Sequence, residues 1–155
     1  MISKIKALWS ILIVVIVFLN MSALEVKAEA ESDEWSIKTT MENPKVVSAV
    51  SELNGKIFIF GGSSESNPYK DVQIYDPKNN IWASGSSMPT ARSTATSVVY
   101  RNDIYVIGGY TGNAFSWTGG SSVNNVEVYN TQTDTWSVRK AMPQAGFRFV
   151  DKCFV

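Results

Sequence analysis

Lys56-Ile57-Phe58-Ile59-Phe60-Gly61-Gly62 is a short apolar run that stops on a glycine pair. It returns 47 residues later as Asp103-Ile104-Tyr105-Val106-Ile107-Gly108-Gly109. Self-similarity at a fixed distance marks a supersecondary unit that needs a neighbour to bury its apolar face. Around the first copy the punctuation is that of short strands. Asn54-Gly55 is a two-residue hairpin signal, because both central positions of that turn take positive φ. It joins Val46–Leu53 to Lys56–Phe60. A polar loop over residues 63–70 leads to Asp71–Tyr75, where apolar and polar residues alternate as in a half-buried strand. Asp76–Asn80 has the composition of a turn. Ile81–Ser84 is the fourth strand, and Met88-Pro89 ends the unit.

The second copy repeats this order with Thr94–Tyr100, Asp103–Ile107, Val126–Asn130, Trp136–Val138 and Met142-Pro143. Trp35 and Met41 precede Trp82 and Met88 by the same 47 residues, which makes Trp35–Lys38 a lone outer-strand candidate ahead of the first unit. Beyond the second glycine pair the offset becomes 54 (Tyr75 to Tyr129, Trp82 to Trp136, Met88 to Met142). Seven residues are therefore inserted between Gly109 and Val126. No stretch after residue 28 requires a helix.

An apolar strand ending in Gly-Gly, then Tyr, then Trp about 20 residues on, then Met-Pro, resembles the Kelch repeat, whose period is roughly 50 residues. The matching marks are Gly61, Gly62, Tyr75, Trp82, Met88 and Pro89, then Gly108, Gly109, Tyr129, Trp136, Met142 and Pro143, with Arg92 at the basic position after Met-Pro. The resemblance implies an all-β fold: a partial Kelch-type β-propeller of four-stranded antiparallel blades, here about 46–84 and 94–138, within a repeat segment 35–155. Lys45 stands where Arg92 stands one unit later. After Ala145 the pattern is lost, although residues 149–155 can still form one inner strand. Closed propellers typically have four to eight blades. Two blades suggest a truncated product, with self-assembly that completes the ring as the alternative.

Composition narrows the function. The 155 residues are 45% hydrophobic and 18% charged, which is globular rather than disordered. A net charge of zero gives no basic footprint for nucleic acid. Histidine is absent and Cys153 is the single cysteine, so a zinc site of the Cys/His type and an internal disulfide are both ruled out. There is no Asp-x-Asp-x-Asp-Gly calcium loop, no Gly-x-Ser-x-Gly elbow, and no lysine in Gly119-Gly120-Ser121-Ser122 to make a phosphate loop. Catalytic residues, cofactors and metals are accordingly expected to be none, and the chain is expected not to be an enzyme.

At the N-terminus, Lys4 and Lys6 precede an apolar run from Ala7 to Leu19, with small residues at Ala28 and Ala30. This is the layout of a secretory signal, and its apolar core is shorter than the roughly 20 residues that span a bilayer. Residues 1–28 are read as a signal peptide and 29–34 as an acidic leader. A membrane association follows only if the signal stays uncleaved as an anchor. Removing residues 1–28 takes away three basic residues and one acidic residue and leaves a net charge of −2. The expected location is secreted or at the extracellular surface.

The insertion supplies the candidate site. Tyr110, Asn113, Phe115 and Trp117 stand among Gly, Ser and Thr, and aromatics on a polar loop can anchor a protein partner or stack on a carbohydrate. A loop that merely covers a blade edge is the competing reading. Arg92 either faces a central channel or braces a neighbouring blade. The expected function is that of a secreted, non-enzymatic module binding a protein or glycan through its loops. The alternatives are a fragment of a secreted propeller enzyme acting on sugars, epimerase-like, and a truncated product without independent activity.

Overall fold

A computed structural model describes residues 35–65 and 67–146. The expected signal peptide and acidic leader, Cys153 and the expected strand at 149–155 lie outside the described residues. The described residues from Ile37 onward belong to one compact unit, and Trp35 and Ser36 fall outside it.

Eight strands form two antiparallel sheets. Sheet order is β1 (Ala49–Leu53), β2 (Lys56–Phe60), β3 (Val72–Asp76), β4 (Ile81–Gly85) in the first, and β5 (Thr96–Tyr100), β6 (Asp103–Ile107), β7 (Val126–Asn130), β8 (Thr135–Arg139) in the second. The registers are copies. Ala49 faces Phe60 and Tyr75 faces Trp82 in the first blade; Thr96 faces Ile107 and Tyr129 faces Trp136 in the second. Asn54 and Gly55 both take positive φ, as their hairpin requires, whereas only Arg101 does so in the matching turn.

One pair of sheet faces makes the core. Alternation puts Ala49, Leu53, Phe58, Phe60, Val72 and Ile74 on one face of the first blade. They pack on Val99, Ile104, Val106, Tyr129 and Trp136 from the opposite face of the second, with Met88 from the blade connection. The rings interlock edge to face: Phe60 lies 5.8 Å from Tyr129 and 5.7 Å from Trp136, a geometry aromatic quadrupoles favour.

The glycine pairs mark where backbone approaches backbone. All four glycines take positive φ. A Cβ on Gly61 would run into the Arg92 carbonyl and lie 2.7 Å from Met88 Cε; one on Gly109 would lie 2.7 Å from the Ser93 carbonyl. The amides are then free to stitch blade to connection. Gly62 N–H donates to Arg92 O (3.1 Å), and its counterpart Gly109 N–H donates to Gly146 O (2.9 Å). Gly146 thus takes the backbone place of Arg92 without its side chain.

The outer-strand candidate Trp35–Lys38 is not a strand. Residues 35–40 have no regular structure, and Trp35 and Ile37 are fully exposed. A strand needs a hydrogen-bonded neighbour, and none of the described strands pairs with it. Its positional role survives in side chains. Trp136 Nε1 donates to Ser86 O (2.7 Å), and Trp82 Nε1, one repeat earlier, donates to Thr39 Oγ1 (3.2 Å).

Candidate functional site

Antiparallel order puts the β2–β3 and β6–β7 loops at the same rim as the blade-to-blade connection, and the short hairpin turns at the other. The insertion therefore stands on the rim with the long loops. Isolated bridges place it closely. Ser63–Pro68 closes the first loop around residues 64–67, and Tyr110–Ser122 closes the second around 111–121. Four residues against eleven accounts for the seven added.

The added residues form a small hairpin. Asn113 bridges Thr118, and Thr111 N–H donates to Ser121 O (3.1 Å). Gly112 and Gly120 face each other so closely that a Cβ on either would strike the other's backbone. Asn113 organises the tip. Its Oδ1 accepts from Phe115 N–H (2.8 Å) and Ser116 N–H (3.0 Å), the Asx turn that favours Asn here. Its Nδ2 donates to Glu65 O in the short loop of the first blade, which ties the two rim loops together.

The four loop candidates divide. Tyr110 is buried at 6% exposure, with its ring 5.3 Å from that of Trp117. Asn113 shapes the tip. Phe115 and Trp117 are 57% and 38% exposed, and they are the side chains that reach solvent. No side chain from Thr111 to Ser121 is charged. The hairpin is thus a neutral, hydroxyl-rich support for two aromatic rings.

Arg92 is separate from this group. It has no exposed surface, and its Nη2 donates to Glu127 Oε2 (2.8 Å) and Val106 O (3.3 Å) in the second blade. Thr90 Oγ1 donates to the other Glu127 oxygen (2.6 Å). Arg92 is a brace, and direct contact with a partner is closed to it by burial. Burial pushes the guanidinium down from its usual range and Glu127 pulls it back. Arg92 Nε and Nη1 have no hydrogen-bond partner among the described residues.

Glu127 escaped the sequence reading because the repeat hides it. Its counterpart in the first blade is Gln73, and there Lys45 Nζ donates to Asp71 Oδ2 (2.5 Å), two residues earlier on the chain. The available signal was a basic residue present in both copies with no acid in register. A second missed contact is made by Asp134, in the turn between β7 and β8. It accepts from Tyr129 OH (2.5 Å) and from Ser86 N–H (2.7 Å) in the first blade. Those bonds hold its carboxyl below the usual carboxylate range, while burial, followed by the bond to Asp134, pushes the Tyr129 phenol up. Among the described residues no cluster of three or more Asp, Glu or Cys could hold a metal ion.

Four-stranded antiparallel blades, stacked face to face with β1 beside β5, define a β-propeller segment. The model of the KLHDC2/KLHL20/DRC7 Kelch-repeats domain matches residues 21–146, and the chain belongs to the Kelch-repeat family. It is 30% identical to human Kelch-like protein 23 over 114 residues, 74% of this chain and 20% of that protein. It is 31% identical to the Arabidopsis thaliana F-box/kelch-repeat protein At1g22040 over 108 residues, 69% of this chain and 22% of that one. The chain thus spans about a fifth of the length of these curated relatives. The solved structure of YjhT superposes with a TM-score of 0.64 over 74% of this chain and 43% of that one, at 18% identity, a likeness of fold.

Proposed function

We propose that this chain is an exported, non-enzymatic recognition module that holds a protein ligand against the rim bearing the 111–121 hairpin. The observation that carries the reading is the exposure of Phe115 and Trp117 on a hairpin whose own backbone is hydrogen-bonded. Large apolar rings in water are disfavoured on a free surface, and rigidly held aromatics are what interface centres use as anchors. The tie from Asn113 to Glu65 lowers the ordering cost of binding. The neutral hairpin suits an uncharged, apolar segment of the ligand better than an acidic or basic one. Export rests on the three-part layout of residues 1–28.

The test is selection from a random peptide display library on the immobilised chain, scored against the Phe115→Ala/Trp117→Ala double variant. Enriched peptides should bind the double variant at least about tenfold more weakly, the loss of one aromatic anchor. Enrichment of none, or equal binding to both proteins, refutes the proposal. A neutral oligosaccharide array run in parallel separates a glycan ligand from a protein one.

A further inference from the structure

The pair of faces that packs between the blades is presented again at the outer ends, and the repeat supplies an internal control for each. Phe58 and Phe60 of the first blade are 5% and 1% exposed beneath the second. Their counterparts on the outer face of the second blade, Tyr105 and Ile107, are half-buried, and Tyr100, counterpart of Leu53, is mostly exposed. On the other side, Ile104 and Tyr129 are sealed by the first blade. Their counterparts Ile57 and Tyr75 are half-buried beside an open cleft of about 510 Å³ that Lys38, Thr39, Pro77 and Asn80 also line. Ile59 and Gln73 on that face are already covered.

We propose that a second copy of this chain docks on these surfaces head to tail, the outer face of the second blade in one copy on the outer face of the first blade in the next. The fit is argued from the contact inside the molecule, where the same two faces already pack. It places Tyr105 and Ile107 opposite Ile57, Tyr75 and Trp82, as Phe58 and Phe60 lie opposite Ile104, Tyr129 and Trp136. Chemistry matches as well. Where the inner contact buries Arg92 with Glu127, the outer face of the first blade already carries its own pair, Lys45 with Asp71, and Gly146 follows the second blade where Arg92 follows the first, so the incoming copy brings no second cation to that place. Lys38 and Thr39, held through Asn80 Nδ2 to Lys38 O (3.3 Å) and Trp82 Nε1 to Thr39 Oγ1, stand where Arg139 and Lys140 of the incoming copy belong. That stretch has to yield. A head-to-tail contact is heterologous and makes a ring when its rotation closes, which the rotation between neighbouring blades of a propeller does; two to four copies of the two described blades reach the four to eight blades of closed propellers.

The experiment is sedimentation velocity of the purified chain over a dilution series, with Tyr105→Glu and Ile57→Glu, each of which puts a carboxylate on one face only. The chain should sediment as two to four copies at high concentration and dissociate on dilution. Each variant alone should be monomeric, with the dissociation constant raised about tenfold or more by an unpaired buried charge. Mixed, the two variants should form a heterodimer and nothing larger, because one face of each is intact. Tyr100→Glu, at an exposed position, repeats the first variant without reaching the core. A monomeric parent chain, association that survives in every variant, or variants that fail to complement each other overturns the proposal. None of these variants touches Phe115 or Trp117, so this result and the peptide selection fail independently.

Discussion

Replacing Glu127 with Gln keeps the shape of the side chain and removes its charge from a place where almost no water reaches. Glu127 is 1% exposed and Arg92 is fully buried. In the variant the guanidinium keeps the Val106 carbonyl at 3.3 Å and at most a neutral amide oxygen as acceptors but loses its counter-charge, while Nε and Nη1 already lack partners among the described residues. Orphaning one member of a buried ion pair costs about 3–5 kcal/mol. A domain of this size is stable by about 5–15 kcal/mol, so the loss is about a fifth of the total or more and is readable by equilibrium urea unfolding followed by tryptophan fluorescence. Two further variants locate the cause. Arg92→Met/Glu127→Met removes both charges and should recover most of the loss, since an apolar pair of similar volume is often neutral or better. Glu127→Gln/Asn125→Asp moves the acid two residues back, which is where Asp71 meets Lys45 in the first blade. It should return to within about 1 kcal/mol of the parent. If Glu127→Gln costs less than about 1 kcal/mol, or if Asn125→Asp gives no gain in that background, the bracing account is wrong.

The glycine pairs set a second scale. Gly61→Ala and Gly109→Ala combine positive φ with a Cβ driven into backbone, and each should cost about 2 kcal/mol or more. Gly55→Ala, with open space around it, should cost about 1 kcal/mol from φ alone in the same urea assay. Asp134 has a depressed folded-state pKa, so its contribution is present above the unfolded carboxylate value near ~3.9 and is lost as pH falls through the folded value. Thermal unfolding of Asp134→Asn should therefore differ from the parent at neutral pH and converge with it in acid; a constant offset would contradict this. Asn113→Ala frees the tip of the hairpin, and limited proteolysis should cut within residues 111–121 faster while the urea midpoint stays within about 0.5 kcal/mol of the parent.

The strand order was legible because the chain states it twice, once in each blade. Ile57–Gly62 and Ile104–Gly109 are aligned by identity of pattern, and subtraction alone placed the insertion between Gly109 and Val126. What subtraction could not give was the fold of the insertion. Its hairpin depends on Asn113 accepting from Phe115 and Ser116, and on two glycines, Gly112 and Gly120, meeting across the loop. Those are contacts between residues of low and similar propensity, and a loop's composition does not specify which pair meets. The same limit explains Tyr110: it sits at the edge of the loop in sequence and inside the protein in space, because its bridge to Ser93 draws it under the blade connection.

Arg92 shows why a repeat can both reveal and conceal. The alignment of Lys45 with Arg92 is evident, and it suggests one shared role. The acids that answer them are out of register by two positions, Asp71 in one blade and, in the other, Glu127, whose own counterpart is Gln73. Side chains two residues apart on a strand point to the same face, so a carboxylate at either position reaches the same cation with a change of rotamer and no change of fold. Selection for a buried neutral pair therefore constrains the face and leaves the position free. A register-by-register reading sees a basic residue without an acid at either site. Only the geometry shows that each blade meets the same electrostatic demand from a different residue, which is why Asn125→Asp is expected to stand in for Glu127.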